Sequence, residues 1–160
     1  MVNEGKGRMT ITRVDSDHPD FKELAGELEE DLKIRDGADH LYYAGLNKID
    51  KLNHVLISYR NEIPIACGGL RPYTNDRVEI KRMYVRPAYR GQGIATDILS
   101  ELEKWSKELG YRYCVLETGR NQPEAIALYK KNGYLMIANF GQYKESPNSI
   151  CMEKLVQQRD

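Results

Sequence analysis

A glycine turn, Arg90-Gly91-Gln92-Gly93, separates a strand-like segment from a helix-like segment. The first amide groups of a helix have no intrahelical partners, and that end of the helix carries partial positive charge. Glycines placed just before it let a ligand approach the backbone without meeting side chains. The turn therefore predicts an anion site suited to phosphate. The alternative is an ordinary strand-to-helix turn in which the glycines only supply positive φ angles.

Three phosphate-binding patterns can be compared with this turn. A P-loop requires GxxxxGK[ST], and the sequence contains no such string. A dinucleotide fingerprint requires GxGxxG directly after a strand. Here Thr96 stands in place of the third glycine, and "RPAYR" separates the strand from the turn. The segment "RGQGIA", residues 90–95, fits a third pattern better, [Q/R]xxGx[G/A].

Thiol and metal chemistry find less support in the sequence. The three cysteines, Cys67, Cys114 and Cys151, form no CxxC or zinc-type spacing, and the three histidines do not cluster with them. An odd number of cysteines without a pairing pattern indicates reduced thiols. Cys114 lies in the apolar segment "YCVLE", which predicts an inert buried thiol rather than a nucleophile. We therefore expect no bound metal.

The composition is that of an ordinary globular chain. Its 160 residues suit one domain with a hydrophobic core, expected at residues 9–160 behind a disordered lead-in at residues 1–8. Lys plus Arg and Asp plus Glu each number 24, and this balance argues against nucleic-acid partners. The sequence contains no run of about 18 apolar residues, so it predicts no membrane-spanning helix. The N-terminus also lacks the apolar core of a signal peptide. The expected location is the cytoplasm.

The hydrophobic pattern predicts the elements that position the glycine turn. Residues 77–85 are expected to form a long strand before the turn, and residues 92–109 a helix after it with Gly110 as its stop. One face of this helix is predicted to be apolar, with Ile94, Ile98, Leu102, Trp105 and Leu109. Residues 34–54 are predicted to be loop and broken helix. The order of elements predicts a mixed α/β chain around one central sheet. The other predicted strands are 9–14, 54–59, 63–73, 111–118, 134–140 and 149–156. Another helix is predicted to open at Asp17 and Pro19, with an apolar face of Phe21, Leu24, Leu28 and Leu32, and a further helix begins at Pro123.

Two segments together resemble the GNAT superfamily of acetyl-CoA-dependent N-acetyltransferases. The first, "VEIKRMYVRPAYRGQGIATDILSELEKWSKELGY", resembles its strand, loop and helix, and "RGQGIA" within it matches the superfamily's pyrophosphate motif. The second, "EAIALYKKNGY", resembles a later segment whose usual form is NxxAxxLYxxxGF. The resemblance spans roughly residues 55–155. It implies a single domain whose central, mostly antiparallel sheet is flanked by helices and has a splayed pair of strands that hold acetyl-CoA.

The resemblance implies acetyl-CoA as co-substrate. The backbone at the end of the long strand would pair with the pantetheine arm, and the amides after Arg90 would hold the pyrophosphate. The cofactor is an anion, and a basic cluster near the turn suits it. This cluster consists of Lys81, Arg82, Arg86 and Arg90. For Lys81 a solvated strand edge is an equal alternative. Gln122 stands where the family usually has Asn. The implied cofactor-binding residues are Met83, Tyr84, Val85, Arg90, Gly91, Gln92, Gly93, Ile94, Ala95, Thr96 and Gln122.

Amine acetylation needs a base near the amine and an acid near the sulfur. Glu79 resembles the glutamate that the family often uses as base, directly or through water. Its alternative is a strand carboxylate paired with Lys81 or Arg77. Tyr129 lies where the family places a tyrosine close to the sulfur, and an unperturbed tyrosine has a pKa of about 10. Its alternative is a helix-face aromatic packed on the core, which we expect of Tyr134.

The implied reaction is direct transfer of an acetyl group to a primary amine of a small molecule or peptide. Dimers are common in the superfamily, so a homodimer is one implied partner. A non-catalytic acyl-CoA-binding or sensing module on the same fold is the main alternative, and a dinucleotide oxidoreductase is a weaker one. Glu117 is either a second carboxylate near the acceptor or a loop cap. Candidates for the acceptor pocket, each with an ordinary loop role as the alternative, are Asp39, His40, Tyr42, Tyr43, Arg71 and Tyr73.

Overall fold

The computed structural model describes residues 8–37 and 51–157, which form seven strands and three helices. Two short 3-10 turns, Pro87–Tyr89 and Gly141–Tyr143, lie between them. In chain order the elements are β1 (Met9–Val14), α1 (Pro19–Asp36), β2 (His54–Arg60), β3 (Ile63–Pro72), β4 (Arg77–Val85), α2 (Ile94–Glu108), β5 (Tyr113–Gly119), α3 (Pro123–Lys131), β6 (Leu135–Ile137) and β7 (Ser149–Leu155).

The strands form one sheet in the order β1-β2-β3-β4-β5-β7-β6. Every neighbouring pair runs antiparallel except β4 and β5, which run parallel. A parallel pair requires a long crossover connection, and α2 lies within it. The predicted mixed α/β fold around a mostly antiparallel sheet is therefore confirmed.

The parallel pair β4 and β5 separates along its length. The strands pair only where Arg77–Glu79 faces Tyr113–Val115, although β4 continues to Val85 and β5 to Gly119. Beyond that point the two strands splay apart, as predicted. The backbone edge at the end of β4 therefore has no β5 partner.

A β-bulge in β4 accompanies the splay. Cys67 of β3 pairs with Tyr84 and Gly69 pairs with Lys81, so one β3 residue faces two β4 residues. The first of these, Arg82, has a positive φ of 58°. A bulge bends its strand and increases the local twist. Here it lies just before the segment of β4 that has no strand partner on the β5 side.

Helices cover both faces of the sheet. Along β2 the side chains alternate: Val55 and Ile57 pack with α1, whereas Leu56 packs with α2 on the other face. The predicted apolar face of α1, which begins at Phe21 and ends at Leu32, packs in the first of these clusters. The two cores fix α1 and α2 on opposite sides of β4, so both helices approach the point where the sheet opens.

Some predicted boundaries differ from the observed ones. α1 begins at Pro19, and its cap is His18, whose Nδ1 atom accepts from the Asp20 amide at 3.1 Å. α2 begins at Ile94 rather than residue 92, because Gly93 has a φ of 81° that ends the turn before helical geometry starts. Leu109, predicted on its apolar face, is 40% exposed. The strand predicted at residues 134–140 is reduced to β6 (Leu135–Ile137).

Some predictions fall where little or nothing is described. The candidates Asp39, His40, Tyr42 and Tyr43 and most of the predicted lead-in lie outside the described residues. Within residues 8–37 and 51–157, no helix is both long and apolar enough to cross a membrane.

Gly68 of β3 lies against α2, and its missing side chain lets the two elements meet. A Cβ at this position would lie 2.6 Å from Met83 Sδ and 3.0 Å from both Ile98 Cγ2 and Leu102 Cδ1. We expect Gly68→Ala to lower the free energy of unfolding by ~1–3 kcal/mol through overpacking, as measured by urea denaturation. Gly26→Ala in α1 is the control, because its added Cβ meets nothing within 4 Å. Equal stability of Gly68→Ala and wild type would show that α2 packs loosely on β3.

Candidate active site

A cavity of about 430 Å³ opens where β4 and β5 separate, over the N-terminus of α2. Its walls come from α1, the end of β4, the glycine turn, the first turn of α2, and α3. All the predicted cofactor residues except Gln92 line it, so residues far apart in sequence meet here. They are Met83, Tyr84, Val85, Arg90, Gly91, Gly93, Ile94, Ala95, Thr96 and Gln122.

The glycine turn presents bare backbone to this cavity. Gly91 has a φ of 76° and Gly93 a φ of 81°, a region that side-chain-bearing residues rarely adopt. A Cβ built on either glycine meets no atom within 4 Å, so the space above the turn is open. Gly93 immediately precedes α2, and its carbonyl accepts from the Asp97 amide at 3.1 Å. The amides of Ile94 to Thr96 are therefore the free first donors of the helix.

The predicted basic cluster does not act as one unit. Arg90 lines the large cavity, with its Nε donating to the Val85 carbonyl at 2.8 Å. Arg86 instead points to α1, where its guanidinium donates to Glu27 at 2.7 Å and to Glu23 at 2.8 Å. The inclusion of Arg86 in a phosphate-facing cluster was therefore wrong: the acidic face of α1 binds it. Arg82 contacts Glu29 of the same helix at 3.3 Å.

The large cavity is also lined by two cationic side chains that no sequence motif indicated. Arg35 comes from the last turn of α1 and Lys131 from the end of α3. The guanidinium of Arg35 lies 3.4 Å from Asp31 and also contacts Glu124 of α3, so it bridges two helices across the cavity. In the sequence each is only a basic residue in the last turn of a helix. Such a residue ordinarily stabilises the helix by interacting with the negative end of its dipole.

A second cavity of about 110 Å³ adjoins the first and shares five lining residues with it: Leu28, Met83, Gln122, Ala125 and Tyr129. Its polar lining includes Lys81, Arg82 and Glu117. Lys81 is only 7% exposed, so the alternative of a solvated strand edge was wrong. Glu117, whose carboxylate accepts from Ser149 Oγ at 2.5 Å, lies on the cavity wall rather than serving only as a loop cap.

Tyr129 lies in the wall common to both cavities. Its ring packs edge-on against Tyr134 with centroids 5.8 Å apart. No described residue forms a hydrogen bond with the Tyr129 hydroxyl, whereas that of Tyr134 donates to Glu103 at 2.9 Å. Burial, with a smaller contribution from the charge of Glu117, raises the pKa of Tyr129 well above its usual value. The hydroxyl is therefore protonated at neutral pH, and it makes no hydrogen bond to any described residue.

Glu79 lies deep in β4 and is 4% exposed. Its Oε2 accepts from the Tyr143 hydroxyl at 2.7 Å and lies 3.5 Å from Lys81 Nζ. The pairing expected with Lys81 is present, whereas Arg77 turns to Glu153 at 2.7 Å. In the described part of the chain Glu79 lines neither cavity. Tyr143 was not singled out in the sequence, because the contact joins residues 64 positions apart.

Three of the remaining candidates, Gln92, Arg71 and Tyr73, are not among the residues that line these two cavities. Gln92 accepts from Arg60 through its side chain at 2.6 Å. Tyr73 packs on Phe140 with ring centroids 5.0 Å apart, and Arg71 is exposed at the end of β3. Gln122 is the residue directly before α3 and lines both cavities.

The cysteines are buried and reduced. Burial raises the pKa of the Cys67 thiol to about 12 and that of Cys114 to about 11. Cys151 likewise has a pKa raised by burial to about 11. Such thiols are poor nucleophiles, as predicted for Cys114. Among residues 8–37 and 51–157, no group of three or more His, Cys, Asp or Glu side chains could hold a metal ion.

Similar proteins have related sequences and folds. An IAA acetyltransferase of Azospirillum brasilense is 36% identical over 100 residues, which make up 62% of this chain and 65% of that protein. This chain thus matches just under two thirds of that relative's length. The structure of a Klebsiella pneumoniae protein described as an acyl-CoA N-acyltransferase superposes with a TM-score of 0.79 and 27% identity, covering 93% of this chain and 98% of the other.

A further structure shares the fold at lower identity. It is a GNAT family acetyltransferase of Elizabethkingia anophelis with acetyl-CoA bound, with a TM-score of 0.66 and 21% identity over 92% of this chain and 97% of the other. The sequence model of the acetyltransferase (GNAT) family matches residues 16–134. Because that match takes in the splayed strands, the glycine turn and α3, the chain belongs to the acetyltransferase (GNAT) family.

Proposed function

We propose that the protein transfers an acetyl group from acetyl-CoA directly to a primary amine of a small molecule or peptide. The observation that carries the proposal is the cavity over the open glycine turn at the mouth of the splayed strands. An unpaired strand edge beside a helix N-terminus suits a ligand with an extended amide arm and a pyrophosphate. The Elizabethkingia protein of the same fold holds acetyl-CoA, which supports this assignment.

The acetyl donor, acetyl-CoA, lies along β4, and its pyrophosphate reaches the N-terminus of α2. The backbone of Met83 to Val85, which has no β5 partner, pairs with the amides of the pantetheine arm. The backbone amides from Gly91 to Thr96 hold the pyrophosphate, and Arg90 adds positive charge beside them. Arg35 and Lys131 lie on the same cavity and contribute further positive charge for the phosphates.

The acetyl group then lies near Tyr129, where the two cavities meet. An acceptor amine enters by the smaller cavity and attacks the thioester carbon. The new C–N bond forms as the C–S bond breaks, and the sulfur leaves with the bonding electrons. Tyr129 gives its proton to that sulfur, and Glu79 receives the proton that the nitrogen loses. Since Glu79 is buried, it acts through intermediate groups rather than by direct contact.

Lys81, Arg82 and Glu117 give the smaller cavity both positive and negative side chains. The homodimer and the cytoplasmic location stay predictions.

The glycine turn provides the first test. Gly93→Val places a branched side chain in the open space above the turn, so we expect CoA affinity to fall about 10- to 100-fold, the equivalent of one or two lost charge-assisted hydrogen bonds. Isothermal titration calorimetry measures the affinity. The control is Gly110→Val at the other end of α2: its φ of 92° imposes similar backbone strain, and its Cβ also meets nothing within 4 Å. A folded Gly93→Val protein with the CoA affinity of Gly110→Val would contradict the phosphate assignment.

A further inference from the structure

The buried position of Glu79 requires a route between it and the acceptor amine. Lys81 lies two residues along β4 and lines the smaller cavity. Its Nζ lies 3.5 Å from Glu79 Oε2. Lys81 therefore lies between the smaller cavity and Glu79. Because the two residues are two positions apart on β4, their side chains project from the same face of the sheet.

Tyr143 connects these two side chains. Lys81 Nζ donates to the Tyr143 hydroxyl oxygen at 2.7 Å, and the Tyr143 hydroxyl donates to Glu79 Oε2 at 2.7 Å. Both distances are short, and Tyr143 is 1% exposed, so water does not compete for its hydroxyl. The result is a continuous chain of hydrogen bonds from the cavity wall to the buried carboxylate.

The 3-10 turn that carries Tyr143 holds it in place. The Tyr143 amide donates to the Phe140 carbonyl at 2.9 Å, and the two rings pack edge-on with centroids 5.5 Å apart. The Tyr143 carbonyl accepts from the Asn139 side-chain amide at 3.2 Å. A residue anchored through its backbone and its ring keeps its hydroxyl at a fixed position between partners from β4.

We propose that Lys81 takes the proton from the acceptor amine and that Tyr143 relays it to Glu79. This inference rests on the proposed acetyl transfer and deepens it, since it names the groups through which Glu79 acts. Lys81 is then a catalytic residue, because it meets the acceptor, whereas Tyr143 positions and connects the two ends of the relay.

The relay balances protons at each step. The attacking nitrogen gives one proton to the neutral Lys81 amine. The Lys81 ammonium passes a proton to the Tyr143 oxygen as the Tyr143 hydroxyl proton moves to Glu79 Oε2. Lys81 is again neutral, and Glu79 holds the proton until it returns by the same path to solvent after product leaves. The sulfur receives a separate proton from Tyr129, which solvent replaces.

The electrostatic surroundings of Lys81 suit a proton acceptor. Burial lowers the pKa of Lys81 below its usual value, which favours the neutral amine. The carboxylates of Glu79 on β4 and Glu117 on β5 act in the opposite direction, whereas the cations Arg82 on β4 and Arg71 on β3 add to the lowering. Burial also raises the pKa of Tyr143 well above the neutral range, so it conducts the proton without releasing its own to solvent.

A double-mutant cycle of Tyr143→Phe and Glu79→Gln tests the relay through single-turnover rates of amine acetylation. We expect Tyr143→Phe to slow the step by at least about 10-fold, and the double variant to be no slower than Glu79→Gln alone, because groups that act as one unit are not additive. Tyr59→Phe is the control: it removes a hydroxyl that donates to Asp20 at 2.7 Å, outside the site. Losses that multiply in the double variant would overturn the relay.

The pH profile separates the relay from a packing role. We expect the wild-type rate to rise with pH as Lys81 loses its proton. In Glu79→Gln this limb should move to lower pH, because the carboxylate that raises the Lys81 pKa is gone. Lys81→Met should lack the limb and retain CoA affinity by calorimetry. If the wild-type enzyme acetylates amines and Lys81→Met shows the same rise of rate with pH, the relay is wrong. The proposed acetyl transfer would still stand.

Discussion

Glu79→Gln is expected to acetylate a primary amine about 10²–10⁴-fold more slowly than wild type at neutral pH, the usual contribution of a general base. Glutamine keeps the shape of the side chain and can still accept from Tyr143, but it cannot take up a proton. Because Glu79 is buried and lines neither described cavity, CoA affinity should not change. The loss should be larger above the Lys81 limb of the wild-type profile than below it, because the corresponding limb of Glu79→Gln lies at lower pH.

Glu103→Gln on α2 is a matched control for this variant. The Glu103 carboxylate also accepts from a tyrosine and a lysine, from Tyr134 at 2.9 Å and Lys154 at 2.9 Å, but it lines neither described cavity. Its substitution should affect stability rather than the chemical step. If Glu79→Gln turned over like wild type at neutral pH, Glu79 would be a structural partner of Lys81 and Tyr143 only.

Tyr129→Phe is expected to slow the chemical step by roughly 10²-fold, the typical value for loss of a general acid. The variant keeps the ring that packs on Tyr134 and loses a hydroxyl without described hydrogen-bond partners, so CoA affinity and stability should change little. Burial holds the pKa of Tyr129 high, so the hydroxyl remains protonated over the working pH range and the defect should persist throughout it. Single-turnover rates are required because steady-state rates can report product release.

The choice of acyl donor sharpens this prediction. A thioester with a more acidic thiol leaves more readily without protonation, so Tyr129→Phe should lose less with it than with acetyl-CoA. Tyr134→Phe is the control: it removes a neighbouring hydroxyl that donates to Glu103, and it should not alter the ratio of the two donors. An equal loss with both donors in Tyr129→Phe would assign the tyrosine to packing and leave solvent as the proton source.

The segments that line the large cavity, where we propose that the donor binds, were predictable because their signals are local. The glycine turn, the apolar face of α2 and Pro123 at the start of α3 each depend on residues within a few positions of one another. The structure brings those segments together as the sequence suggested, with small shifts such as the start of α2 at Ile94. Gly93 had a clear conformational reason to be glycine, and its φ of 81° bears this out.

The connections made by charged side chains could not be predicted in the same way. Arg86 lies close to the glycine turn in sequence, yet it binds Glu27 because folding places the acidic face of α1 beside β4. Tyr143 reaches Glu79 from a short turn between β6 and β7 that has no periodic pattern. Such partners are fixed by tertiary packing across long sequence separations, and nothing in the neighbouring residues specifies them.

Acetyl transfer itself is tested most directly by one measurement on the wild-type protein. Acetyl-CoA is incubated with a panel of small-molecule and peptide amines, while free CoA thiol and the mass of each amine are followed together. The account predicts that at least one amine gains one acetyl group on nitrogen for each thiol released, and that release without an amine is far slower. Tight CoA binding with no acetylated product from any amine would contradict it and favour an acyl-CoA-binding or sensing module.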